Sequence, residues 1–518
     1  MEPNAPPGPE SSAGRGEGFR PIADLTAAVV SGLKWQMATQ VVNEGTRTIV
    51  VVVLARLLTP SDYGIAGIAI VCASFASILT DPSLSSALMR RPRITEADRS
   101  TVFWTMSAIG AVSTVAGIAL SGVVADLFGQ PEVQALFAVL SLSFVVGSMS
   151  VTQTVLLSRD LAFRKLQLRQ MGAIVAGGIV ALTVAGLGYG PWAIIGNQVT
   201  YTTTSAVLVW RMSPWRPRAI FSRTSLRQLG GFGAKIYVAE LLAWLQGNAD
   251  NGLVGRFLGA AALGEYSLAY NVMFVPLQRI AGPLMEVLSP TYARLQHEPA
   301  RLERAWLRSK RISASLITPL FIGAAVTAPD LVPVVFGRQW HAAVVPLQLL
   351  CIAGLAQTLV TLCWSVLSAQ GRAGTILFIQ IVNAIVTLSA FVAGLRYGIV
   401  GVAGLFAASR WLLVLIEIWM TTRSVRFNFW AALRAGTESL PYGLAAGAAG
   451  FGLRAALVSE HVPAFIRLFA TGGLVVAVYL ALVAIFSRSI IIEVRSVLRR
   501  RRGASSLEVP PDPRASEL

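Results

Sequence analysis

Ionisable side chains inside long apolar segments are the residues of this chain that could do chemistry. A charge at mid-bilayer is unfavourable by about 2.5–3.5 kcal/mol, so such a residue usually faces a water-filled cavity or a partner. Arg and Lys donate charge-assisted hydrogen bonds to anionic oxygens, whereas a buried acid can bind a proton or Na⁺. The cations are Lys34, Arg47, Lys235, Arg279, Arg410 and Arg467, and the anions are Glu44, Asp81, Glu240, Asp250, Glu286 and Glu417.

Several of these residues also have a purely structural interpretation. Lys34 and Lys235 lie near the starts of their segments and can extend their ammonium groups to lipid heads. Glu44 and Arg47 are three residues apart and can neutralise each other on one helix face. Asp250, with polar neighbours on the same helix, can lock that helix by hydrogen bonding. The sequence alone leaves both interpretations open.

Membrane-spanning helices must position these residues. Hydrophobic residues make up 54% of the 518 residues, charged residues 13%, and the mean hydropathy is +0.63. A soluble chain carries about 25% charged residues, and about 20 apolar residues cross a bilayer as a helix. We predict an all-α polytopic membrane protein whose spans are 29–57, 63–87, 102–127, 134–157, 168–188, 191–210, 232–257, 263–289, 309–329, 342–368, 374–395, 399–421, 439–457 and 464–487.

Positive charge is confined to alternate connections between these spans. Most of the 43 Lys and Arg residues lie in the two tails and in every second connection, with Lys310 counted in the connection at the start of span nine. Basic connections stay in the cytoplasm, so both termini are predicted to be cytoplasmic. Anionic lipid heads attract such cations, so the net charge of +17 indicates membrane lipids, not nucleic acid, as the partner. Arg467, one turn into the last span, is expected to extend outward to lipid heads.

An internal repeat divides the chain. The first span begins at Gly32-Leu33-Lys34 and ends at Arg56, and the seventh begins at Gly233-Ala234-Lys235 and ends at Arg256. Both copies start in the cytoplasm, which indicates two pseudo-symmetric lobes of six helices. The predicted domains are a disordered tail (1–26), an N-lobe (27–210), a basic cytoplasmic linker (211–230), a C-lobe (231–422), two added spans (437–488) and a basic disordered tail (489–518).

Prolines and small residues predict local features of the spans. Pro276, Pro283, Pro290 and Pro319 are expected to kink helices. The Gly-rich stretch 443–450 is expected to permit close helix packing.

Several stretches of the sequence resemble one transporter family. They are ARLLTPSDYGIAGIA (55–69), TVFW (101–104), LLSRDLAFRK (156–165), GNADNGLVGRFLGAAALGEYSLAYN (247–271), SPTYARLQ (289–296) and SAQGR (368–372). The chain resembles the polysaccharide-transport (Wzx-type) flippases, in particular the colanic- and teichuronic-acid exporter branch of the multidrug/oligosaccharidyl-lipid/polysaccharide exporter superfamily. The resemblance implies that the chain moves a polyprenyl-pyrophosphate-linked oligosaccharide across the bacterial cytoplasmic membrane, without enzymatic chemistry and with no cofactor.

This resemblance assigns expected roles to the intramembrane charges. Arg279, Arg410, Arg47, Lys34 and Lys235 are the expected ligands of the pyrophosphate. The expected coupling-ion residues, for H⁺ or Na⁺, are Asp250, Glu240 and Glu44. Besides the lipid-linked substrate and membrane lipids, a polysaccharide polymerase and export machinery are expected partners.

Three other functions compete with this interpretation. A peptidoglycan-precursor flippase would use nearly the same transport mechanism for a lipid that carries a different glycan. A drug or metabolite exporter of the same superfamily would favour an acidic or apolar cavity, whereas this interior carries at least as many cations as acids. A membrane glycosyltransferase or polymerase would need acidic catalytic residues on a sizeable outer loop, and the predicted outer connections are short.

Overall fold

Helices and short turns, with no β-strand, form the part of the chain that the structure describes. The computed structural model describes residues 25–80, 84–230 and 233–487. The prediction of an all-α polytopic membrane protein is confirmed, and each predicted span coincides with one helix or with two consecutive helices. The predicted terminal tails fall almost entirely outside the described ranges.

Eight helical segments of the described residues are long and apolar enough to cross a membrane. They are Pro60–Ile78, Glu96–Phe128, Glu132–Arg159, Phe163–Gly186, Pro299–Val335, Arg338–Ala369, Ala373–Val425 and Ala464–Phe486. The helices that begin the two predicted lobes are not among them, and both carry several charged and amide side chains. The count of fourteen crossings stays a prediction.

By its internal contacts, the described chain separates into two compact units between Ser267 and Leu268. The first unit contains α1 (Leu25–Leu57), α2 (Pro60–Thr80), α3 (Leu84–Arg90), α4 (Glu96–Phe128), α5 (Glu132–Arg159), α6 (Phe163–Gly186), α7 (Trp192–Met212), α8 (Arg223–Gly230), α9 (Gly233–Phe257) and the start of α10 (Ala260–Pro276). Within this unit, α9 packs on α2.

The predicted basic linker is an ordered part of the first unit. Its backbone follows the start of α4, where the Trp104 indole N–H donates to the Arg218 carbonyl at 2.8 Å. Nearby, the Ser222 amide donates to the Thr101 hydroxyl at 2.9 Å. Buried polar groups need such partners, and these bonds fix the linker where the sequence indicated only a basic connection.

The second unit contains the rest of α10 and the remaining helices. These are α11 (Gly282–Arg294), α12 (Pro299–Val335), α13 (Val344–Val360), α14 (Cys363–Ala369), α15 (Ala373–Gly394), α16 (Gly398–Val425), α17 (Phe429–Thr437), α18 (Leu440–Ser459) and α19 (Ala464–Phe486). A 3₁₀ turn at Arg338–Ala343 connects α12 to α13.

A π-helical turn, Leu277–Ala281, interrupts predicted span eight directly after Pro276. Proline removes one backbone donor and crowds the preceding turn, and π turns are frequent at functional sites. The irregularity follows from the proline that the sequence identified, and it divides one long apolar segment into α10 and α11. By contrast, α12 continues through Pro319 as one helix.

Small residues let α18 approach its neighbours closely. A Cβ atom at Gly443 or Gly447 would lie 2.6 or 2.7 Å from side chains of α12, at Thr318 and Ile322 respectively. Such distances are below normal carbon contacts, so a larger residue at either position would require the neighbouring side chain to move. The predicted close packing of 443–450 is confirmed.

Candidate functional site

Glu44 and Arg47 are the described charges nearest the middle of α1, and Arg56 lies in its last turn. Glu44 accepts a hydrogen bond from the Gln40 amide at 3.1 Å, one turn earlier on the same helix. The Arg47 side chain is exposed. Asn43 is buried, and neither of its amide atoms has a hydrogen-bond partner among the described residues. The face of α1 therefore combines a cation, an acid and spare hydrogen-bonding capacity.

Asp250 of α9 is 2% exposed, and both of its carboxylate oxygens are engaged. The Tyr266 hydroxyl donates to Oδ2 at 3.0 Å, and the Asn251 backbone N–H donates to Oδ1 at 2.8 Å. The residues that follow Asp250 and Tyr266 also bond to each other, since the Ser267 hydroxyl donates to Asn251 Oδ1 at 3.2 Å. These contacts fasten α9 to the start of α10, as the structural interpretation of Asp250 predicts. They also identify Tyr266 as its partner, which the sequence did not.

Earlier in α9, Trp244 contacts α2. The Trp244 indole N–H donates to the Ser74 hydroxyl at 2.9 Å, and its ring packs on Phe75 at a centroid distance of 4.9 Å. The Asn248 amide donates back to the Trp244 carbonyl at 3.1 Å. Lys34, Lys235 and Glu240 have side chains that lie outside the described residues.

In the second unit, the π-helical turn Leu277–Ala281 carries Arg279, whose side chain is exposed. A π turn shifts the angular position of the residues that follow it. The turn therefore sets the direction in which this part of span eight presents its side chains, which an uninterrupted helix would present differently.

Arg410 of α16 has a carboxylate partner two turns along its own helix. Its Nη2 atom lies 3.5 Å from Glu417 Oε1, and both side chains are nearly buried. The Asn383 amide of α15 also contacts the Glu417 carboxylate. Arg410 is an expected pyrophosphate ligand with no acid within four residues of it in the sequence, and the structure supplies an acid seven residues away.

Lys310 is the functional candidate that the sequence missed. The sequence placed Lys310 among the cations of a basic connection, whereas the residue lies within α12 and is only 1% exposed, so it is buried in helix packing. A signal was available: Leu302, Trp306, Ser313 and Ile317, at helical spacing on either side of Lys310, are all buried. Lys310 lies on this apolar stripe and hence on the inward face of α12.

Arg467 does not extend to lipid heads as predicted. Its Nη2 atom lies 2.6 Å from Asp330, a carboxylate that is 1% exposed and also contacts Arg454 Nε at 2.6 Å. The carboxylate thus joins α12 to both α18 and α19. An acid on another helix decides the direction of this side chain, and the sequence of α19 does not contain that information.

Comparison with known proteins assigns the family. Residues 53–345, more than half of the chain, match the family described as polysaccharide biosynthesis protein. The lipopolysaccharide biosynthesis protein WzxC of Escherichia coli K12 is 28% identical over 67% of this chain and 71% of its own length. The teichuronic acid biosynthesis protein TuaB of Bacillus subtilis is 26% identical over 85% and 91%. The succinoglycan biosynthesis transport protein ExoT of Rhizobium meliloti is 24% identical over 92% and 96%.

Two solved structures share the fold. The lipid II flippase MurJ, in an inward closed conformation, aligns over 89% of this chain and all of its own chain, with a TM-score of 0.70 and 14% identity. An inward-facing multidrug resistance transporter of the MATE family aligns over 74% and 94%, with a TM-score of 0.56 and 12% identity. At such identities the likeness concerns the fold alone.

Proposed function

Since the chain belongs to the polysaccharide biosynthesis protein family, we propose that it is a flippase for a lipid-linked oligosaccharide. It moves a polyprenyl-pyrophosphate-linked oligosaccharide from the inner to the outer leaflet of the bacterial cytoplasmic membrane, by alternating access, for exopolysaccharide export. The observation that carries this proposal is the alignment with ExoT, a transport protein, over nearly the whole of both chains. Both termini lie in the cytoplasm by the distribution of Lys and Arg.

Cationic side chains bind the pyrophosphate in this proposal. Arg47 and Arg279 have exposed side chains in the described structure, and Lys34 and Lys235 receive the incoming substrate near the cytoplasmic ends of their helices. Arg410 contacts Glu417, so phosphate oxygens would replace that carboxylate when they bind. Arginine suits this exchange because its planar guanidinium pairs with either group in the same geometry.

Ion coupling supplies the energy. Asp250, Glu240 and Glu44 are the residues proposed from the sequence for an H⁺ or Na⁺ ion. The two hydrogen bonds to Asp250 mean that a coupling ion would have to displace or join them. A ligand shifts a conformational equilibrium only if it binds one state more tightly, so ion and substrate must favour different states or bind in a fixed order.

A peptidoglycan-precursor flippase is the second candidate, since a lipid II flippase shares the fold over most of the chain. A polysaccharide polymerase and export machinery are the proposed downstream partners. The phenotype of cells that lack the chain distinguishes these two proposed functions. Loss of secreted polysaccharide, accumulation of the lipid-linked oligosaccharide and unchanged cell-wall synthesis support the proposal, whereas lysis with accumulation of the cell-wall precursor contradicts it.

A further inference from the structure

Three charged side chains meet inside the second unit. Lys310 lies on α12, and Arg410 and Glu417 lie two turns apart on α16. Glu417 Oε1 is 3.5 Å from Arg410 Nη2, and the Lys310 ammonium group is near enough to Glu417 for an electrostatic interaction. We call these three residues the Lys310 cluster.

The Lys310 cluster contains two cations and one acid. The Arg410 guanidinium keeps its proton in proteins, so it and Glu417 form a neutral pair. Lys310 Nζ has no hydrogen-bond acceptor among the described residues, and it lies 5.1 Å from the centre of the Trp306 ring. A buried ammonium group without an acceptor is strongly unfavourable. With Lys310 protonated, the cluster therefore has one more positive charge than negative charges. Loss of the Lys310 proton makes the cluster neutral.

Among the described residues, the other groups around the cluster are neutral. They are the Cys363 thiol of α14, the Asn383 amide of α15, the Thr421 hydroxyl of α16 and, beyond the thiol, the Tyr292 phenol of α11. On the remaining side, a Cβ atom at Gly436 of α17 would lie 3.2 Å from Lys310 Cε. None of these groups is a second carboxylate, so the described surroundings do not remove the excess charge.

We propose that Lys310, with Glu417 as its counter-charge, exchanges the proton that drives transport, an inference that rests on the proposed flippase function. When water reaches the cluster from one side, the lone pair of Nζ forms an N–H bond with a proton of hydronium, whose O–H bond breaks to leave water. When water reaches it from the other side, that N–H bond breaks and water takes the proton. The nitrogen keeps the electron pair.

The same geometry excludes a metal ion as the coupling ion at this position. Arg410 already pairs with the one carboxylate of the cluster, so these three residues leave no acidic oxygen for Na⁺, whereas the neutral Lys310 nitrogen can take up a proton. The inference therefore selects H⁺ from the two coupling ions that the sequence left open, and it assigns the exchange to a residue outside the three acids proposed above.

Purified full-length protein in liposomes tests this inference. The probe is radiolabelled lipid-linked oligosaccharide extracted from a strain that lacks the chain, and the measurement is the rate at which its glycan becomes accessible on the opposite leaflet. Rates are compared with no gradient, with a pH gradient of either direction and with a Na⁺ gradient. The variants are Lys310→Met, Lys310→Arg and Glu417→Gln. Arg454→Gln, which alters another buried ion pair of the same unit, is the matched control.

We expect a pH gradient, and not a Na⁺ gradient, to accelerate wild-type flipping. Lys310→Met leaves a neutral Arg410–Glu417 pair and should remain folded, yet lose the acceleration. Lys310→Arg keeps the charge but cannot release a proton, so it should also lose the acceleration. Glu417→Gln should lose the acceleration as well. Arg454→Gln should retain it. Acceleration that persists in both Lys310 variants, or that follows only Na⁺, overturns the inference while leaving the flippase function intact. A wild-type protein that flips nothing contradicts the proposed function itself.

Discussion

Gly64 of α2 lies directly against the backbone carbonyl of Ala260 at the start of α10, with no room between them for a side chain. Four residues away on each helix the contact recurs, since a Cβ atom at Gly264 would coincide with the Pro60 carbonyl. Each glycine lies within or beside the tyrosine motifs that begin the second helix of each repeat, at Tyr63 and Tyr266. The repeated sequence therefore marks a close helix crossing inside the first unit.

The crossing predicts a large effect of one added methyl group. Gly64→Ala should lower the thermal midpoint of the purified protein and destabilise it by about 1–3 kcal/mol, because a backbone carbonyl cannot rotate away from the new Cβ atom. Gly252→Ala on α9 is the matched control, since nothing lies within 4 Å of a Cβ atom there. The control should be neutral or slightly stabilising. Equal midpoints for the two variants would show that the crossing is looser than described.

The hydrogen bond from Tyr266 to Asp250 predicts a second effect on stability. Tyr266→Phe removes the donor to a buried carboxylate oxygen, which should cost about 1.5–3 kcal/mol because the acceptor carries charge. Tyr63→Phe, at the equivalent position of the other repeat, removes a hydroxyl that donates to the Val51 carbonyl at 3.4 Å and should cost less. Thermal unfolding of both variants in the same detergent makes the comparison, and the reverse order would refute it.

Asp250→Asn separates the coupling role of this residue from its structural role. In the coupling role, the variant should change the dependence of flipping on pH or Na⁺. In the structural role alone, it should lower the thermal midpoint and leave both dependences as in the wild type. Reconstituted flipping at several pH values and Na⁺ concentrations decides between the two roles, and an unchanged dependence removes Asp250 from the coupling site.

Arg279→Ala and Arg410→Ala should each abolish polysaccharide export while the protein level in the membrane stays normal. For Arg410→Ala, the remaining Lys310 and Glu417 are one cation and one acid, so the interior stays balanced and the fold should persist. Quantitative blotting of membranes and measurement of secreted polysaccharide provide the two readouts. Undiminished export in either variant would exclude that arginine from the substrate path.

Substituting Asp330 should destabilise the protein more than substituting either of its two arginine partners. Asp330→Asn leaves two arginines without their carboxylate and should cost more than either single arginine variant, in which the carboxylate keeps one cation; losing a partner from a buried pair typically costs about 3–5 kcal/mol. Because each arginine is 20% exposed, Arg454→Gln and Arg467→Gln should fall below that range. Thermal midpoints of the three variants test the order, and an arginine variant as damaging as Asp330→Asn would contradict the shared contact.

Local sequence signals account for most of the helices. Apolar length located every predicted span, and Pro276 indicated where span eight becomes irregular, because both effects depend on residues close together in the chain. The basic linker was predicted only as a cytoplasmic connection between the two lobes. Its packing on α4 could not be predicted, since it depends on bonds such as that of Trp104 with Arg218, which are far apart in the sequence.

The candidate site was less predictable for the same reason. The sequence analysis considered each cation only with the residues near it on its own helix. In the structure, Glu417 two turns away pairs with Arg410, and Asp330 on another helix pairs with Arg467. Lys310 lies on the apolar stripe that contains Trp306. Of these, the stripe was visible in the sequence as a helical period.

The central claim is that this chain by itself moves a lipid-linked oligosaccharide between leaflets. Liposomes that contain only the purified protein and the radiolabelled glycolipid measure this directly, with a membrane-impermeant glycosidase outside. In liposomes with protein, the fraction of glycolipid that the glycosidase digests should rise from the fraction initially in the outer leaflet toward complete digestion. In liposomes without protein, only the fraction initially in the outer leaflet should be digested. A digested fraction that is the same with and without the protein would contradict the account.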